Sequence, residues 1–143
     1  MPMNFTWIGL AALGGFVAYF VTGGILFAVL SSLKDEFKKY PAVYRSHESI
    51  MKVMPVGMAA MFVGMVALAV LYAMVYRGGS GVVEGAHFGA LIGIFAICAF
   101  VVHNYVNLNI GWKLTVQQSV AYFLEWLVTG IAIGLIYRMP MPH

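Results

Sequence analysis

Apolar positions along this chain gather into four long runs, with the polar positions collected between them. Charge-free stretches cover residues 7–30, 53–76 and 88–108, and a fourth, 116–137, holds a single charged side chain, Glu125. Each run is long enough to cross roughly 30 Å of hydrocarbon as a helix rising about 1.5 Å per residue. In lipid each backbone N–H and C=O must be satisfied within its own segment, so runs of this length are expected as helices. The pattern predicts an all-α polytopic membrane protein, a four-helix bundle of two antiparallel hairpins. Both termini lie on the same side, and residues 1–143 form one membrane domain. The segment up to Thr6 has no basic residue and the run after it is too long for a cleaved signal, so the first run is read as a span.

The connections carry their own signals. In the first, residues 31–52, the apolar residues Leu33, Phe37 and Tyr40 predict an amphipathic continuation of the first helix, stopped by Pro41, with its charges on a solvated, headgroup-facing surface. Ser46 is a candidate N-cap for the second helix, which places Pro55 inside that helix and predicts a kink. Arg77-Gly78-Gly79-Ser80-Gly81 reads as a flexible turn. The third connection is short, so the third and fourth helices form an antiparallel hairpin. Each half of the chain also ends a helix in Tyr-Arg (Tyr76-Arg77 and Tyr137-Arg138), a pattern shared by an internal duplication and by generic interface anchors.

Helices in lipid gain little from burying leucine against leucine, so close contact is signalled by small residues in helical register. The first helix offers Ala11, Gly15, Ala18 and Thr22, the second Gly57, Ala60, Gly64 and Ala67, and the third Gly85, Gly89, Gly93 and Ala96. The fourth has Gly130 and Gly134, about 140–180° around the helix from Glu125 at 100° per residue. Because these two faces point in different directions, one of them is expected to meet another chain, either a second copy or a different subunit.

Composition narrows the class. Of the 143 residues, 62% are apolar and 9% are charged, against about 25% charge in an ordinary soluble domain, and the mean hydropathy is +0.90. A water-soluble monomer is excluded, and the bilayer is the first partner. The net charge of +3 comes from few residues, with no clustered basic face, so nucleic acid is not expected as a partner. Lys34, Lys38, Lys39, Arg45 and Lys52 lie in the first connection and Lys113 in the third, whereas Arg77 and Arg138 lie on the other side. The excess of positive charge on cytoplasmic loops places loop 31–52 in the cytoplasm and both termini outside.

Candidate chemistry is confined to a few side chains. Continuing the third-helix glycine stripe at its own spacing leads through Phe100 to His103 and Asn107, so His103 is expected to face other helices. The fourth helix carries Gln118, Tyr122, Glu125 and Thr129 at spacings of three and four. His103 and Glu125 are therefore expected to approach each other, with Asn104 or Gln118 completing the set. A carboxylate at this depth costs on the order of 3 kcal/mol, so it is neutral, paired or in a wet cavity. Such a pair serves either as a proton relay or ligand contact, or as an interhelical tie.

Met51, Met54, Met58, Met61 and Met65 form a stripe at spacings of three and four. Stacked thioethers suit Cu(I), and the tail methionines of Met1-Pro2-Met3 and Met139-Pro140-Met141 would collect it. The Met-xxx-Met pairs resemble the second helix of the eukaryotic copper-transporter family, whose three spans and trimeric pore this pattern does not share; the alternative is adaptable packing. His87 and His103 are too far apart along one helix to ligate one haem, and no cofactor is predicted. Cys98, without a second thiol, is read as a small core residue. No nucleophile elbow, phosphate loop or His-Glu-xx-His pattern occurs, so no catalytic residue is assigned.

The second half, from Glu84-Gly85-Ala86-His87-Phe88-Gly89 through His103-Asn104-Tyr105 and Lys113-Leu114-Thr115 to Gly130-Ile131-Ala132-Ile133-Gly134, resembles a group of small bacterial four-helix membrane proteins classed as a domain of unknown function. The resemblance implies four spans in a bacterial inner membrane and supplies no activity. Two functions remain in view: a non-catalytic accessory subunit or homo-oligomer, and a proton-linked transporter or small-molecule-binding bundle centred on His103 and Glu125. Cu(I) handling is a minor third.

Overall fold

The computed structural model describes residues 3–137, and these are mostly helical with no strand among them. Four helices are long and apolar enough to cross a membrane. Helix α1 spans Phe5–Val29 and begins on an N-cap, Asn4, whose side-chain oxygen accepts from the Trp7 N–H at 3.2 Å. A short amphipathic helix α2, Ser31–Lys38, follows at once. Helix α3, His47–Val75, starts from Ser46, which accepts from the Ser49 N–H at 3.3 Å, as its position before the polar first turn predicts. Pro55 lies inside α3. Helix α4, Gly81–Ala96, passes through a π-helical turn, Ile97–Val102, into α5, His103–Asn107, and α6 spans Trp112–Ile136. The helices overrun the charge-free runs by several residues, because caps rather than hydropathy set where a helix starts. Arg138, the tail methionines 139 and 141, and residues 1 and 2 lie outside the described residues.

Helix α6 is the middle of the structure. One flank packs against α4 and the other against α1, while α3 packs mainly on α1 and meets the end of α6 where Tyr72 adjoins Gly134 and Tyr137. The expectation that one face of α6 must be left for another chain is thereby corrected. Gly130 and Gly134 are buried against α4, and Glu125 faces α1. A last helix placed between two neighbours uses both faces at home.

The α4–α6 seam is backbone on backbone. A methyl group built on Gly85 would strike the Gly130 carbonyl, and one on Gly130 would meet Gly89 Cα and N at 2.5 Å. Gly81 opposes Gly134 and Gly89 opposes Trp126 and Leu127, an antiparallel register that advances one turn at a time. Gly93 meets the Phe123 ring.

The seam ends at the π-helical turn. A π turn adds one residue to a helical repeat, so after Ala96 the buried position falls on Val101, 3% exposed, while Phe100 is 57% exposed. Uniform helical spacing puts Phe100, His103 and Asn107 on the buried stripe; the added residue moves that stripe to Val101, and beyond it α5 has no buried residue on any face, so His103, Asn104 and Asn107 are all exposed. Cys98, in the same turn, is exposed rather than in the core.

Helix α3 uses a different stripe from the one its small residues mark. Met65, Ala69, Tyr72 and Ala73 pack on Ile8, Ala11 and Ala12 of α1, with Phe62 edge-on to Phe16 at 5.7 Å. Gly57, Ala60, Gly64 and Ala67 are all exposed, and nothing lies within 4 Å of a methyl built on Gly57 or Gly64. No residue from 47 to 60 is buried. Tyr72, Tyr76 and Tyr137 stack with centroids 5.4–5.9 Å apart and close the opposite, tail end of the molecule.

At the loop end α2 folds back onto the α5–α6 connection. Glu36, 4% exposed, takes Lys39 Nζ at 2.6 Å and Lys113 Nζ at 2.9 Å on one carboxylate oxygen. The Gly111 N–H donates to the Tyr40 hydroxyl at 2.8 Å, and Gln117 donates to Ser32 at 3.1 Å. The two lysines hold the Glu36 carboxyl below the usual range by hydrogen bonding, and Glu36 in turn raises Lys39. The expectation of a wholly solvated charge set in this loop is corrected at Glu36. It shares a helical face with Leu33 and Tyr40, so seating that face buries it.

The turn 77–80 is also more ordered than its glycines imply. The Glu84 carboxylate accepts from the Arg77 N–H at 3.3 Å and the Gly79 N–H at 2.9 Å, and Gly78 takes the left-handed conformation, φ 84°, that glycine tolerates best.

Candidate functional site

Between α1, α2 and α6, at the loop end of the spans, lies a cavity of about 160 Å³. Helix α6 contributes Gln118, Ala121, Tyr122 and Glu125; α1 contributes Gly23, Leu26 and Phe27; α2 closes it with Leu33 and Phe37. The spacing of the α6 residues, three and four apart, puts them on one face over two turns. Gln118, Tyr122 and Glu125 are all half-buried.

Glu125 reaches toward α1 at the point where α1 has no side chain. A methyl built on Gly23 would sit 2.8 Å from Glu125 Oε1. One turn away on α1, the Tyr19 hydroxyl lies beside the Glu125 carboxylate and the Tyr122 hydroxyl. The Tyr19 ring lies against Trp126, centroids 4.9 Å apart, which fixes its direction. Among the described residues no lysine, arginine or histidine comes within ion-pair distance of Glu125.

The site therefore departs from the expected pairing. His103 is exposed beyond the π turn, whereas Glu125 faces α1 on another flank of α6, and the two do not share a site. Asn104 and Asn107 leave with His103. Gln118 and Tyr122 stay with Glu125. Tyr19 and Gly23 were not singled out by the sequence, since nothing in it says which span faces Glu125. Leu33 and Phe37 were visible as an amphipathic face, but the surface that face covers was not.

Further toward the tail end, the buried polar atoms Tyr72 Oη, Trp126 Nε1 and Thr129 Oγ1 have no hydrogen-bond partner. Two of them follow Glu125 within about one turn of α6.

The methionine stripe does not share one environment. Met51, Met54 and Met58 are exposed, Met61 is half-buried and Met65 is fully enclosed against α1. Among the described residues no cluster of three or more His, Cys, Asp or Glu side chains is placed to hold a metal. Compared with protein-family models, with curated proteins and with solved structures, the chain matches none.

Proposed function

We propose that this membrane protein works through Glu125, as a proton-linked transporter or small-molecule-binding bundle. The observation that carries the reading is a carboxylate facing a cavity inside a span, against a glycine and between two phenols, with no basic partner among the described residues. An ionisable side chain at such depth is expensive to insert and is retained where it serves a path or a ligand. Tyr19 and Tyr122 offer hydroxyls that both donate and accept, the groups needed to pass a proton to or from the carboxylate. The basic residues gathered at the loop end support a cytoplasmic opening, and the four-span pattern accords with a bacterial inner membrane.

Reconstituted into vesicles carrying a trapped pH indicator, the protein is expected to dissipate an imposed pH gradient. Glu125→Gln should abolish the flux while retaining the wild-type helical circular dichroism and melting temperature. A folded Gln variant with undiminished flux overturns the reading.

A second reading, self-association or an accessory-subunit role, is favoured by one observation: residues 50–60 in the first half of α3 are all exposed. The surface that would carry it is on α3, no longer on α6. Native mass spectrometry from mild detergent showing only monomer removes this reading.

A further inference from the structure

We infer that the Glu125 cavity takes an alkylammonium group. The inference rests on the proposal that Glu125 is the working site and names the chemistry of its ligand. Two features of the cavity beyond the carboxylate point to a cation with apolar substituents. The first is its wall: Phe27, Phe37 and Tyr122 line it from three different helices. The Phe27 and Phe37 rings stand 6.3 Å apart at 57° to each other, and Phe37 is itself held edge-on by Tyr44 at 4.7 Å. Ring faces attract ammonium and, more tightly, desolvated methylated ammonium groups. The Phe27 ring also takes a cation from the chain itself, Lys34 Nζ at 5.3 Å from its centroid, although Lys34 does not line the cavity.

The second feature is size and polarity. A cavity of about 160 Å³ equals the liquid-volume share of roughly five waters, room for a group of about five non-hydrogen atoms. The polar atoms it offers are the carboxylate of Glu125, the phenol of Tyr122 and the amide of Gln118; apart from these the lining is aliphatic or aromatic. An anion would meet the carboxylate, and a bare metal cation would find too few oxygen ligands for its usual shell of six or more. An alkylammonium satisfies both halves, with its charge toward Glu125 and its carbons on Phe27, Phe37 and Leu33. The cavity lies at the loop end beneath the amphipathic α2, so the group has two available sources: a free amine from the aqueous side, or the ammonium headgroup of a membrane lipid.

The test uses the full chain in nanodiscs of phosphatidylglycerol, which carry no ammonium, with tetramethylammonium as probe and tert-butanol as its neutral counterpart of like shape. Saturation-transfer NMR on the probe methyls is expected to show saturable binding of tetramethylammonium and none of tert-butanol. Phe37→Leu should weaken it about tenfold, the loss of one ring face at roughly 1–2 kcal/mol, and Glu125→Gln should abolish it, with both variants checked for wild-type melting. Equal binding of tert-butanol, or no binding to the wild type, overturns the ammonium assignment and leaves the proton-flux result to stand separately. Tetramethylammonium binding unaffected in folded Glu125→Gln overturns the placing of the ammonium at Glu125, whereas only undiminished flux in that variant overturns the proposed function. Repeating the titration in phosphatidylethanolamine discs separates the sources: a loss of apparent affinity identifies the lipid headgroup as occupant, and an unchanged value identifies a free amine.

Discussion

The two flanks of α6 are built on opposite principles. Against α4 it presents Gly130 and Gly134 to Gly85 and Gly81, and the two backbones touch. Against α1 it presents Gln118, Tyr122 and Glu125, and the helices are held apart by side chains around a cavity. Close backbone approach gives dispersion contact at the cost of any space between the helices. Side-chain spacing leaves room for polar groups that must then satisfy one another. Glycine appears in both seams with contrary roles. In the first it lets another backbone in, whereas at Gly23 it lets a carboxylate in.

Substitutions in the two seams should separate these roles, beginning with the largest effect. Gly130→Leu forces a branched side chain into the Gly89 backbone and should prevent recovery of a monodisperse, cooperatively melting protein. Gly130→Ala, the milder form, should cost about 1–3 kcal/mol in reversible unfolding from mixed micelles. Gly23→Ala should cost much less, since the obstructing atom is the end of a flexible carboxylate, but should shift the Glu125-dependent flux. Equal stability losses at the two positions would erase the distinction between the seams.

Packing on α3 gives the next test. Met65→Ala should destabilise by about 2 kcal/mol, toward the low end of the range for buried methionine because lipid is itself apolar, while Met58→Ala should be near neutral. Gly57→Ala and Gly64→Ala meet nothing and should stabilise by about 0.5–1 kcal/mol through helix propensity. Destabilisation at either glycine would mean that another chain covers α3.

The smallest effect concerns the loop lock. Because the Glu36 carboxyl is held below its ordinary value in the folded state, its contribution is present above the unfolded glutamate pKa of about 4.3 and is lost as pH falls through the lower folded value. A cysteine introduced as Leu33→Cys in a Cys98→Ser background should therefore be protected from a water-soluble pyridyl disulfide at pH 6. Its labelling should rise as the pH is lowered past the unfolded glutamate value of about 4.3 and through the lower folded one, whereas a Glu36→Gln background should be labelled throughout. Labelling that does not respond to pH in the Glu36 protein would show that the ion pairs do not hold α2.

Much of this architecture was legible in the sequence. Four apolar runs, the Ser46 cap and the glycine stripe from Gly85 to Gly93 all follow from local rules of hydropathy, capping and side-chain size. What escaped was whatever depended on where one helix stops matching ideal geometry or on which neighbour it meets. The π-helical turn leaves no mark in the apolar pattern of residues 97–102, and neither does the end of packing at Val101, beyond which His103, Asn104 and Asn107 lie on a helix end with no buried face. The exposed stripe of Gly57, Ala60, Gly64 and Ala67 is as regular as the buried stripe on α4, and only the facing helix distinguishes them. Glu125 was visible as a misplaced charge; its partners were not, because tyrosine and glycine on another span carry no signal that they face it.

The central place of α6 also bears on how the molecule is made. A chain delivered to the bilayer from its N-terminus sends in α1, α3 and α4 before the helix that joins α1 to α4 exists. Until Trp112–Ile136 arrives, the Gly81, Gly85 and Gly89 edge and the Gly23 gap both face lipid, and α2 has neither Lys113 nor Gly111 to dock against. Three contacts of separate origin then close in one step with the insertion of the fourth span. Assembly is therefore gated at its end, and a chain released before that step is a set of membrane helices in which α1 and α4 have no α6 to bridge them.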